Sequence, residues 1–195
     1  MNIMKMLRTR KTTSIVMLFG SITGFLASFV LTVDKIQVLK DSGYTPSCNI
    51  SETLNCKSVM LSKQAEVFGF PNALIGIAAF AIFIAIGVAL LAEVQFPKWF
   101  WQIAFVGTLL GVVFSHWLAY QTTFEIGALC PYCMVAWFGT TLILSSIIQE
   151  LLRFRSAEST DLSEQESITT ISSFMPIFHV VWVGLLIAGA FLGVN

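Results

Sequence analysis

Chemistry in this chain is most legible in its four cysteines, Cys48, Cys56, Cys130 and Cys133. The last two stand as Cys130-Pro131-Tyr132-Cys133, a spacing that brings two sulfurs within bridging distance across one helical turn. Pro131 suits the first turn of a helix. With Cys130 at a helix N-terminus, unpaired N–H groups and the macrodipole favour its thiolate. The thiolate is the species that attacks or leaves in thiol–disulfide exchange. A zinc site is the main rival, but four-cysteine sites are normally built from two close pairs, and Cys48 and Cys56 are eight apart. No histidine lies near them, because His116 and His179 fall in apolar stretches, and no metal is expected. A static disulfide at each pair is the other plain reading.

The elements that must position these thiols are set by lipid. The chain has 195 residues, 56% of them hydrophobic and only 11% charged, with a mean hydropathy of +0.81. A soluble domain carries roughly 25% charged residues and needs them to cover its surface, so most of this surface faces a bilayer. A formal net charge of zero gives no attraction for nucleic acid or acidic substrates.

Residues 14–33 form an apolar run of about 20 residues, enough to cross about 30 Å of hydrocarbon at about 1.5 Å per residue. A signal peptide has a shorter apolar region and a small-x-small cleavage site, which is not evident here. Residues 34–71 make a polar loop that holds Cys48 and Cys56. Spans are expected at 72–92 and 100–121, and a fourth opens at the Cys-x-x-Cys motif and ends near 150. Trp99 and Trp101 sit at an interfacial belt. Residues 151–173 read as a solvated linker and 174–194 as a fifth span.

The expected organisation is therefore an all-α polytopic membrane protein. Residues 1–150 form a four-helix bundle with an extracytoplasmic loop at 34–71, 151–173 a cytoplasmic linker, and 174–195 a fifth transmembrane helix. Lys5, Arg8, Arg10 and Lys11, with Arg153 and Arg155, place the N-terminus inside by the positive-inside rule. The C-terminus and the cysteines then lie outside, where disulfides persist. Whatever the orientation, spans two and three cross and return, so both cysteine pairs share one side. Gly20/Gly24, Gly107/Gly111 and Gly189/Gly193 have the four-residue spacing that lets helices approach closely.

A loop dithiol beside a dithiol at a helix end has the form of a relay, and a quinone is a suitable lipid-soluble terminus for the two electrons released when a dithiol closes. It also prefers a pocket between helices. His116 and Trp117 read as bundle-facing packing residues, and Glu125 as a solvated loop acid. Asn72 taken alone is a helix cap, Ser62 alone carries no signal, and Asn49-Ile50-Ser51 is a formal glycosylation sequon.

These residues together resemble the vitamin K epoxide reductase family in its bacterial form. The resemblance runs through Cys48, the step to Cys56, Ser62, the Pro71-Asn72 entry to span two with Gly76, and the Cys130–Cys133 motif, and it covers about the first 150 residues. It implies a four-helix bundle around a quinone, ubiquinone or menaquinone, with a half-helix in the loop shielding the site. It implies that Cys133 reacts with the quinone, that Cys56 attacks Cys130, and that Cys48 exchanges with an external thiol protein. By the same resemblance Asn72 hydrogen-bonds a quinone carbonyl and Ser62 orients the site. Trp137 stands where the vertebrate enzymes have tyrosine, which speaks against vitamin K epoxide as substrate. Many bacterial relatives carry a fused thioredoxin-like domain after the fifth span. This chain stops there, so a separate periplasmic DsbA-like thioredoxin-fold protein is the expected partner. DsbB-type proteins do similar work but place their Cys-x-x-Cys in the first outer loop.

The function this implies is that of a thiol:quinone oxidoreductase in the inner (plasma) membrane, which reoxidises that partner and drives disulfide formation. Two alternatives stand beside it. One is a quinone or vitamin K epoxide reductase using thiol electrons, and the other a non-enzymatic membrane scaffold with structural disulfides.

Overall fold

The structure is a computed structural model that describes residues 3–158 and, beyond them, positions 170, 177, 181, 182, 184, 185, 188, 189 and 192. Five α-helices follow in order within 3–158: α1 (Ile3–Lys40), α2 (Cys56–Met60), α3 (Asn72–Leu91), α4 (Lys98–Tyr120) and α5 (Pro131–Glu158). A 3-10 turn covers Lys63–Glu66, and a π-helical turn, Gln121–Ile126, continues α4. Among the described residues four helices are long and apolar enough to cross a membrane. The protein is an all-α, multi-pass membrane protein, as composition requires. The expected fifth span lies mostly outside the described residues, and its described positions are helical.

Three boundaries differ from the sequence reading, each because nothing local breaks the helix. The loop expected from residue 34 begins after Lys40, since the first glycine or proline beyond Val33 is Gly43. The extra turns present Asp34, Lys35 and Val38, all buried, to the loop. The connection after span three is wound into the π turn and ends at Gly127, whose φ of 67° suits glycine. α5 runs through Arg153 to Glu158, so the first residues of the expected linker are helical.

α1 is the central strut. It packs along both α3 and α5, and α4 leans on α5. Small residues allow this: a Cβ on Gly20 would lie 2.9 Å from the Gly139 carbonyl oxygen, and one on Gly24 would collide with the Phe80 ring. At the end of the bundle away from the cysteines, Thr13 Oγ1 donates to Gln149 Oε1 at 2.8 Å. Arg153 donates to Thr13 Oγ1 at 2.9 Å and pairs with Glu150. These bonds satisfy polar groups that lipid cannot and tie α1 to α5.

Candidate active site

The loop is held over the bundle end by backbone and side-chain bonds that the residue types explain. Asn55 caps α2, its Oδ1 accepting from the Ser58 N–H at 3.0 Å, a common role for asparagine. Asn49 Oδ1 accepts from the Lys57 N–H at 3.0 Å, and Lys57 Nζ donates to the carbonyls of Ser42 and Tyr44 at 2.6 and 2.9 Å. Asn49 therefore has a structural use, whatever its sequon. A parallel bridge joins Leu54 to Leu129. The Asn55 N–H donates to Leu129 O at 3.0 Å and the Leu129 N–H to Thr53 O at 2.7 Å. That bridge lies two residues before Cys56 and one before Cys130, and it sets the register of the two thiols.

Cys48 and Cys56 form a disulfide, while Cys130 and Cys133 are free thiols. Cys56 Sγ lies 3.1 Å from Cys130 Sγ. The four cysteines thus meet at one end of the bundle, in a cluster with Leu31 and Val38 of α1 and Val59 and Met60 of α2. Cys130 immediately precedes α5 and Pro131 is its first residue. A hydrogen bond from Cys133, together with the backbone N–H groups of Cys133 and Tyr132, holds the Cys130 thiol below its ordinary value, against the opposing effects of burial and of Asp34. The sulfurs of Cys48, Cys56 and Cys130 lie within 4.8 Å of one another. Two of them are bonded to each other, so in this redox state they do not form a set of thiolates for a metal.

Beneath the cluster lies a cavity of about 240 Å³, lined mostly by apolar side chains of α1, α3, α4 and α5. Cys130 and Cys133 form part of its wall, and Trp137, one turn after Cys133, adds a flat aromatic surface. Asn72 and Ser62 line it too. Asn72 is the first residue of α3, not its cap. Its Nδ2 donates to Gln64 O at 2.7 Å and its Oδ1 accepts from the Val67 N–H at 3.3 Å. A carboxamide nitrogen has two hydrogens, and the bond to Gln64 O uses one of them. Ser62 Oγ donates to Val59 O at 2.7 Å, which ties it to the end of α2. An apolar slot with a few placed donors and a thiol in its wall fits a flat, lipid-soluble ring bearing carbonyl oxygens.

Several residues of this site escape sequence reasoning. Lys35, buried in the cavity wall, donates to Met60 O at 2.6 Å and pairs with Glu66 at 2.8 Å, clamping the loop to α1. Asp34 and Tyr44 share a hydrogen bond of 2.8 Å. The available signal was the unbroken helical pattern past residue 33, with Leu31, Asp34, Lys35 and Val38 on one face. His116 is not part of the cavity wall. Trp182, in the expected fifth span, donates to its Nε2 at 3.0 Å, and its Nδ1 faces Val112 O at 2.8 Å. His116 thus contacts the expected fifth span through Trp182.

Fold and site define the class: a multi-pass membrane protein whose two cysteine pairs meet at the mouth of an apolar cavity. The family model described as the vitamin K epoxide reductase family matches residues 15–148, more than half of the 195-residue chain, and the chain belongs to that family. Members of the family are oxidoreductases that work with quinone-type substrates or cofactors. No curated protein matches the chain.

Proposed function

We propose that the protein is a quinone-linked thiol oxidase that withdraws electrons from a periplasmic thioredoxin-fold dithiol protein of the DsbA type and so drives disulfide formation. The observation that carries the reading is the 3.1 Å approach of Cys56 Sγ to Cys130 Sγ, which joins a loop pair to a pair in the cavity wall. The partner's thiolate attacks Cys48, and the partner leaves oxidised with Cys48 and Cys56 reduced. Cys56 thiolate attacks Cys130 of a Cys130–Cys133 disulfide and Cys133 departs as thiolate. Cys48 thiolate then attacks Cys56, closing Cys48–Cys56 and releasing Cys130. The result is the arrangement of bonded and free cysteines seen here.

A bound quinone, ubiquinone or menaquinone, supplies an acceptor for two electrons and two protons. Cys133, on the cavity wall, is the thiol placed to deliver those electrons as it closes again with Cys130. Asn72 would orient a carbonyl through its second amide N–H, with Ser62 holding the loop that covers it. The cysteine end is assigned to the periplasmic face of the inner membrane and the N-terminus to the cytoplasm. The basic residues Arg10 and Arg153 at the opposite end support this assignment.

The test uses protein purified in detergent, a reduced thioredoxin-fold dithiol protein, and ubiquinone or menaquinone analogues followed by absorbance. Quinone is consumed by the native protein. Ala at any of Cys48, Cys56, Cys130 or Cys133 lowers the rate by at least about 10²-fold, as loss of a nucleophile in a relay requires. Full turnover in Cys130→Ala or Cys133→Ala would overturn the relay. Disulfides that resist mild reductant, with no quinone loss, would favour a structural role.

A further inference from the structure

Three sulfurs from separate parts of the chain converge at the cysteine end of the bundle. Sγ of Cys48, Cys56 and Cys130 lie within 4.8 Å of one another, and all three residues are buried. Their grouping has supports besides the Cys48–Cys56 bond. The Leu54–Leu129 bridge sets Cys56 against Cys130. Asn55 caps the helix that Cys56 opens. Asn49, next to Cys48, accepts from the backbone N–H of Lys57, next to Cys56, at 3.0 Å. Reduction of the disulfide therefore yields three thiols that these contacts still hold together.

Two sulfurs bound to one central atom at about 2.3 Å each, the zinc–thiolate length, sit roughly 3.5–4 Å apart. The 3.1 Å between Cys56 and Cys130 and the 4.8 Å limit on the whole set bracket that spacing. The surroundings select the central atom. Thiolates suit zinc, copper(I) and other soft ions. Three thiolates on zinc leave one negative charge over, and on copper(I) two. The cluster around the sulfurs holds Leu31, Val38, Val59 and Met60, where an uncompensated charge is costly. Lys35 is engaged with Met60 O and Glu66, and Lys57 with the Ser42 and Tyr44 carbonyls. Tyr44 packs against the cluster, and its hydroxyl donates to Oδ1 of buried Asp34. Asp34 Oδ2 has no hydrogen-bond partner among the described residues, so a second negative charge nearby is disfavoured. A trivalent centre with three thiolates is neutral.

We propose that the reduced protein binds trivalent arsenic, supplied as arsenous acid, through Cys48, Cys56 and Cys130. Arsenous acid is small and uncharged at neutral pH. Three S–H and three As–OH bonds break, and three As–S bonds and three waters form. No electron is transferred. Cys133 is outside the set and keeps its thiol. The Cys48–Cys56 disulfide must first be reduced by a thiol or phosphine, so the site is gated by redox state. Binding does not rest on the thiol-to-quinone reading. Where that reading holds, the adduct occupies three of the four relay sulfurs and stops turnover.

The test uses the full chain in detergent, reduced with a phosphine, freed of it without oxygen, and titrated with sodium arsenite. Arsenic per chain is measured after desalting, and the remaining thiols are mapped by maleimide and mass spectrometry. One arsenic per chain is expected, with Cys133 alone left to alkylate. Protein that has not been reduced takes up none. Ala at Cys48, Cys56 or Cys130 weakens binding by at least about 10²-fold, the lower end of what an added intramolecular link contributes. Cys133→Ala binds as the native chain does.

Native affinity in Cys48→Ala, with loss in Cys133→Ala, would assign the arsenic to the Cys130–Cys133 pair and overturn the inference. Where a variant fails to fold, arsenic X-ray absorption on the native adduct decides: three sulfur neighbours support the site, and two overturn it. Zinc that displaces arsenic at equal concentration overturns the choice of a trivalent centre. Neither quinone nor partner enters the measurement. Arsenic uptake by a protein that reduces no quinone therefore sinks the thiol-to-quinone reading and leaves this one standing.

Discussion

Gly20 and Gly24 on α1 and Gly107 and Gly111 on α4 carry the same four-residue spacing in apolar helices, and they do opposite things. The α1 pair sits in a closed seam, Gly20 against the backbone of Gly139 on α5 and Gly24 under the ring of Phe80 on α3. The α4 pair faces room. A Cβ on Gly107 would meet nothing within 4 Å, and one on Gly111 only the Thr140 methyl at 3.6 Å. Both glycines line the cavity. One half of the bundle is closely packed at its small residues, and the other borders the cavity. The small-residue spacing signals backbone exposure, and what fills that exposure is settled elsewhere.

Substitutions on the two sides separate these roles. The largest effect is expected in the seam. A Cβ on Gly139 would lie 2.5 Å from the Gly20 carbonyl oxygen, and since that neighbour is backbone, the helices must part. Gly139→Ala is expected to destabilise the protein by about 1–3 kcal/mol, the range for an overpacked core, read as a lower melting temperature in detergent. An unchanged melting temperature would show that the seam has slack and would break the comparison.

On the open side, Gly111→Leu fills cavity space without touching the seam. The expected result is an unchanged melting temperature and a KM for the quinone analogue raised about tenfold, equivalent to about 1.4 kcal/mol. A loss of stability with unchanged KM would place Gly111 in packing.

The smallest effect concerns Cys130, at the junction of the two halves. Its thiol is held low first by the hydrogen bond from Cys133. In protein with Cys48 and Cys56 replaced by Ala, the pH midpoint for iodoacetamide capture of Cys130 should move upward on adding Cys133→Ala. The sign follows from linkage: a depressed thiol value means thiolate stabilisation that is present above the unfolded value and is lost as pH falls through the folded one. A midpoint that does not move would assign the shift to the helix N-terminus alone.

The sequence by itself determined the membrane class, the four spans, the two cysteine pairs and their meeting on one side. Each of these depends on local composition or spacing: apolar run length against bilayer thickness, a three-residue step along a helix, and the parity of crossings. Asn72 and Ser62 were legible only through their place in a wider pattern, since an asparagine at a helix start and a serine in a loop are common. What the tertiary structure alone decided lies in contacts between distant segments. The Leu54–Leu129 bridge sets which sulfur faces which, and Lys35 clamps a loop that begins later than composition indicated. Asp34 with its bare oxygen reads in sequence as the first polar residue after a span. Pairing across 74 residues leaves no periodicity in the chain, because such a contact is selected by packing of whole helices rather than by the residues on either side of it.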